Sequence, residues 1–297
     1  MPAIRLSPAL PTAILAAVLV AAPAAAQQEP RGPTPPAMGG QGPGQPLWEA
    51  GLFAAGGWVA DYPASGEGRW RGLPVPYVIY RGEVIRIGDQ GAIRARRTFM
   101  DDRLELDIGL GGAFDVDSDD NDARQGMPDL DFLFELGPSV EYRFLPADSP
   151  VQVEASLEVR AVFSTDFGGV DHEGYVINPQ ISYFNRSVGG SPVSLFLAAG
   201  PIWGLDGVND YFYTVAPQFA RPGRSAYQAD EGYIGTEFTL GLSYRVTDRL
   251  RAFAGGQIGY FGGSANEDSP LFEEEVNYSV GFGLNWTIYE SDRRAKR

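Results

Sequence analysis

The chain has 297 residues, no cysteine, and 38 acidic against 23 basic side chains, for a formal charge of −15. Those values exclude a disulfide framework, a lipid-modified N-terminal cysteine and thiolate chemistry. They also set the surface potential against nucleic acid, whose phosphates attract basic faces.

Arg5 precedes an apolar stretch from Ala9 to Ala22, followed by Pro23 and the small-residue run Ala24-Ala25-Ala26 before Gln27. A charged start, a short apolar centre and an A-x-A site predict a secretory signal peptide over 1–26. A membrane anchor would need about 20 apolar residues and polar stop-transfer flanks. Residues 27–46 are dominated by Pro, Gly and Gln without apolar periodicity and read as a disordered periplasmic linker.

Beyond the linker, hydrophobicity is spread in alternation. Leu104, Leu106, Ile108 and Leu110 alternate with Glu105 and Asp107, and Val151 to Phe163 alternate with Gln152, Glu154, Ser156, Glu158 and Arg160. At the end of the chain Tyr278, Val280, Phe282, Leu284, Trp286 and Ile288 alternate with small and polar residues. Period two predicts strands with one apolar and one polar face. Strands are expected at 47–60, 74–81, 83–88, 92–99, 103–115, 130–144, 151–164, 174–187, 192–204, 232–246, 250–262 and 276–289.

Most of these exceed the usual soluble strand of about 5 to 6 residues. Brief turns alternate with longer excursions at 61–73, 116–129, 165–173, 205–231 and 263–275, the asymmetry of periplasmic turns and extracellular loops. The pattern predicts an all-β fold, a closed antiparallel transmembrane β-barrel of about twelve strands over 47–289, with a basic tail at 290–297. Trp48 and Trp58 share one face of the first strand, and ten tilted strand residues rise roughly 25 Å, the height between aromatic girdles. Trp48, Trp58, Trp286 and Tyr289 are the candidate girdle.

The same alternation turns Glu105, Asp107, Glu135, Glu141, Arg143, Glu154, Glu158, Arg160, Glu237, Arg245 and Arg251 inward. Mixed signs predict a cross-linking charge network in the lumen, with a selective small-solute path as the other use of those residues. The single histidine, His172, lies near Ser164 but without a nucleophile-elbow pattern, so no catalytic residues are assigned. Asp115 to Asp122 is rich in oxygen ligands yet fails the EF-hand template, with Asp120 at the turn-glycine position and Gly126 at the bidentate-glutamate position. No metal or cofactor is expected.

Several segments, in order, resemble the MipA/OmpV family of Gram-negative envelope proteins: Asp61-Tyr62-Pro63-Ala64-Ser65-Gly66, Leu73-Pro74-Val75-Pro76-Tyr77, Tyr80-Arg81-Gly82, Met127-Pro128-Asp129-Leu130-Asp131, Tyr211-Phe212-Tyr213-Thr214-Val215 and Asp268-Ser269-Pro270-Leu271. The resemblance implies an outer-membrane location, contact with outer-membrane lipids and lipopolysaccharide, and a non-enzymatic scaffold role. Its partners would be a lytic transglycosylase and a peptidoglycan synthase. The other reading is a passive small-solute channel, or a surface-binding adhesin that uses Tyr211, Phe212, Tyr213 and Tyr227 of the longest loop.

Overall fold

A computed structural model describes residues 46–81, 85–87, 93–95, 97–99, 103–146 and 148–295. The expected signal peptide and all but the last residue of the expected linker lie outside the described residues. Those residues form one antiparallel sheet of thirteen strand segments. They are β1 (Trp48–Ala60), β2 (Gly68–Arg81), β3 (Ile85–Ile87), β4 (Ile93–Ala95), β5 (Arg97–Phe99), β6 (Leu104–Ala113), β7 (Phe132–Arg143), β8 (Val151–Thr165), β9 (Asp171–Asn185), β10 (Val193–Leu205), β11 (Gly232–Arg245), β12 (Leu250–Tyr260) and β13 (Val276–Glu290).

Sequence neighbours pair throughout except β4 with β5, and the first strand pairs with the last, from Glu49 opposite Glu290 to Trp58 opposite Val280. The pairing order therefore runs β4-β3-β2-β1-β13-β12 and on down to β6-β5. Its two edges are β4 and β5, which residue 96 alone separates in the chain. β4 also lies against β6, so the sheet curls until its edges are close. The expectation of a closed barrel is met only in part, because the described hydrogen bonds do not join β4 to β5.

Two strand boundaries differ from expectation for physical reasons. β2 starts at Gly68 rather than 74, and Pro74 and Pro76 sit within it opposite Ala54 and Leu52. Proline cannot donate to a ladder, which argues against a central strand. Here β3 pairs only with Tyr80 and Arg81, so the prolines occupy a stretch with no described partner on that side. β9 starts at Asp171, three residues early, because a bulge between Val162 and Phe163 restores its register with β8. The expected basic tail also continues the pairing: Leu47 N donates to Arg293 O at 2.7 Å, and Ser291 N to Trp48 O at 2.9 Å.

The alternation sorts the two faces as predicted, but inside out relative to a soluble protein. Trp70, Tyr278, Val280, Phe282, Leu284, Trp286, Phe238, Leu240, Ile181 and Leu157 are exposed on the outer face. Glu105, Asp107, Glu135, Ser139, Gln152, Arg160, Asn178, Glu237 and Asn285 are buried on the inner one.

The long connections gather at one end. There Tyr62, Val116, Leu130, Phe212, Tyr213, Val215, Phe261 and Leu271 pack with the inner-face strand ends Ala113, Leu133, Val162, Val176, Ile202 and Ile234 into a hydrophobic core. A six-residue helix, α1 (Val208–Tyr213), supplies the central aromatics. The loops thus form a packed cap. Tyr213 is fully buried, and its hydroxyl donates to Pro63 O at 3.0 Å. Tyr213→Ala is expected to cost the cap about 3–5 kcal/mol, read as faster amide exchange across 206–231 while the strand ladders stay protected. Unchanged exchange in the cap would contradict this packing.

Candidate functional site

The inner face places the predicted charges in register. Glu105 lies opposite Glu141, Asp107 opposite Ser139 and Gly111 opposite Glu135 across β6 and β7. Arg143 lies opposite Glu154 and Ser139 opposite Glu158 across β7 and β8. Arg143 donates through Nε to Glu154 at 2.9 Å and pairs with Glu105. Arg160 donates through Nε to Glu135 at 3.0 Å and pairs with Glu158. Six of the eleven expected residues thus form two three-membered clusters on β6, β7 and β8.

The other five sit differently. Glu141 is half-buried beside Glu105, and Asp107 is buried, accepting from Ile108 N at 2.7 Å. Glu237 is buried on the far wall between Gly200 and Gly259. Arg245 and Arg251 face each other across the β11–β12 ladder at the short-turn end. The four residues expected to form a girdle lie on the outer face, with Trp48, Trp286 and Tyr289 exposed towards the short turns and Trp58 opposite Trp70 towards the cap.

A third buried cluster, at the seam between first and last strands, is absent from the sequence-based expectation. Arg81 donates to Glu49 at 2.8 Å, with both side chains buried. Tyr77 OH lies 3.0 Å from Glu49 Oε1, 3.0 Å from Asn285 Oδ1 and 2.9 Å from Thr287 Oγ1. The signal was available, since Trp48 on the outer face obliges Glu49 to turn inward. Pro74 and Pro76 obscure the same parity along β2.

The cap is tied by polar groups as well. Asp61 takes a bidentate fork from Arg69, at 2.7 and 2.6 Å, and a third bond from Asn121 at 3.1 Å. Arg124 donates to Phe212 O, Pro128 O and Ser118 Oγ, with its guanidinium 5.8 Å from the Tyr62 ring. Arg224 donates to Ala123 O at 2.8 Å and Gln125 O at 3.0 Å, fastening the 114–131 loop to the 206–231 loop.

Three sequence features take structural roles here. In the acidic run Asp117 accepts from Asp119 N and Asp129 from Ser118 N, so those carboxylates are engaged by loop N–H groups. Ser164 donates to Glu173 at 2.6 Å, while His172 packs edgewise on Phe163 and Tyr175. Phe212 and Tyr213 are buried in the cap, and Tyr211 and Tyr227 pack against its core. Two of the four aromatics expected on an adhesive surface, Phe212 and Tyr213, are thus spent on the cap core, while Tyr211 and Tyr227 stay half-buried at its edge.

Two predictions follow from these environments. A buried pair deprived of one partner leaves an uncompensated charge, so Arg81→Met should destabilise the fold by about 3–5 kcal/mol. Adding Glu49→Gln should recover part of that loss; denaturant titration of the four species measures the coupling. In the cap, burial and then the Glu273 charge push the Tyr62 hydroxyl up, and burial and Asp131 do the same to Tyr211. Both stay neutral in the folded cap. Their contribution is whole below the ordinary tyrosine pKa of about 10 and is lost as pH rises past it, so protease cleavage within 206–231 should appear above that pH and not at neutrality.

The chain is similar to several solved structures. They include the NanC porin, at 10% identity over 81% of this chain and 98% of that one with a TM-score of 0.35. The toluene transporter TodX of Pseudomonas putida matches at 12% identity over 90% and 78%, with a TM-score of 0.28. The outer membrane protease OmpT of Escherichia coli matches at 10% identity over 81% and 95%, with a TM-score of 0.26. No curated protein matches the chain. The family model described as MltA-interacting protein MipA matches residues 52–288, from the first strand through the last and across the cap between them, and the chain belongs to that family.

Proposed function

We propose that this chain is an outer-membrane β-barrel, exported by the 1–26 signal peptide, which acts as a non-enzymatic scaffold for peptidoglycan-remodelling enzymes. The observation that carries the role is the family match, whose description names an interaction with MltA, a lytic transglycosylase. The outer face supports the location, because exposed apolar side chains on every long strand suit hydrocarbon rather than water.

Closure runs through 93–99. β4 bonds to β3 and β5 to β6, and one residue joins them. Read as one strand they make a twelve-stranded ring, an even number with no free edge. The cap then faces the exterior, and the short turns, with the 27–46 linker, face the periplasm where such enzymes work. Lipid and lipopolysaccharide surround the outer face.

Co-elution of the full, detergent-folded chain with a purified lytic transglycosylase of the MltA type, and with a peptidoglycan synthase, tests the scaffold. A complex with the transglycosylase is expected; separate elution at micromolar concentrations of both would overturn the role. A packed cap and ion-paired inner face also predict silence in planar-bilayer recordings. Discrete conductance that changes on Glu154→Gln would favour the channel instead.

A further inference from the structure

The inner-face arginines differ in what satisfies them. Arg143 and Arg160 sit among carboxylates, and Arg81 on Glu49. Arg245 and Arg251 do not. They are direct cross-strand partners, and among the described residues neither guanidinium has a hydrogen bond or ion pair. Like charges opposed on a ladder are destabilising, and this chain carries 38 acidic side chains that could have relieved them. The acid nearest in the strand order, Glu49, is already taken by Arg81, Tyr77 and Thr287.

The surroundings complete a site. The register places Arg245, Arg251, Asn285 and Phe53 in one inward row across β11, β12, β13 and β1. Asn285 is 1% exposed; its Oδ1 faces the Tyr77 hydroxyl, and its Nδ2 is buried without a hydrogen-bond partner. One layer deeper, the Phe253 ring meets Phe53 edge-on at 6.1 Å. The layer below is Gly241, Gly255, Gly281 and Gly57, a stretch of wall without side chains of its own, with Phe196 packed beside Gly241. Arg245 is exposed beside the Val246–Arg249 turn, so the row is reached from the short-turn end, opposite the cap.

We propose that Arg245, Arg251 and Asn285 bind an oxyanion, a carboxylate or phosphate group on a small molecule whose apolar or ring portion rests on Phe53 and Phe253. Two guanidinium forks match such a group with paired charge-assisted hydrogen bonds. The anion supplies the direct ion-pair partner that the described residues do not. The site stands apart from the scaffold role: anion binding without a transglycosylase complex, or the reverse, separates the two.

Calorimetric titration of the full chain, folded in zwitterionic detergent at low chloride, tests it. The probes are inorganic phosphate, N-acetylmuramic acid with its lactyl carboxylate, and N-acetylglucosamine, which lacks that carboxylate. Saturable binding of at least one anion is expected, weakened by added chloride and by about tenfold or more in Arg245→Gln/Arg251→Gln. Preference for phosphate would assign a phosphate-bearing ligand, and preference for the acid sugar a carboxylate. The double variant should unfold at the same temperature as the parent chain or higher, since it sheds a like-charge pair, so lost binding is not lost folding. No binding of either anion, equal binding of the neutral sugar, or undiminished binding by the double variant would overturn the proposal.

Discussion

The long strands of this molecule expose a continuous apolar outer face, and that inversion governs the rest of the structure. A sheet with an apolar outer face in hydrocarbon has no water there to satisfy its backbone, so each strand must pair on both sides and the edges must be brought together. The pairing of β1 with β13 meets this demand at one seam; at the other, β4 and β5 stand one residue apart in the chain with no described hydrogen bond between them. The same inversion drives ionisable groups to the inner face, where they must find one another.

They do so unevenly. On β6, β7 and β8 the carboxylates outnumber the cations, and Arg143 and Arg160 each bridge two of them. On the opposite wall glycines replace side chains, and the cations Arg245 and Arg251 are left to face each other. At the seam, Glu49 and Arg81 hold the first two strands together, and Tyr77 carries the cluster to the last strand. The cap finishes the long-loop end as a small soluble protein would, with a hydrophobic core and arginines spent on carbonyls. The interior is thus cross-linked along one wall and covered at one end.

Much of this was legible in the amino-acid order. Period two located the long strands and gave Glu105, Arg143, Glu154 and Arg160 their inward face, because parity is a local property of the pleat. What was not legible depended on contacts between distant segments. Tyr211 to Tyr213 read as an exposed aromatic run, since nothing local reveals that Tyr62, Leu130 and Leu271 will surround it. The seam cluster joins residues more than two hundred positions apart. The start of β2 was hidden by Pro74 and Pro76, which cannot donate to a ladder and so argue locally against a strand.

The claim on which all of this rests is that the apolar face of the strands meets lipid. The chain has no native cysteine, so single cysteines can be placed in turn from Asn277 to Trp286 on β13, spin-labelled and measured in bilayers for collisions with oxygen dissolved in the lipid. Collisions should be frequent at Tyr278, Val280, Phe282, Leu284 and Trp286 and sparse at the intervening positions. Uniform accessibility, or the reverse alternation, would contradict an outward apolar face and with it the barrel.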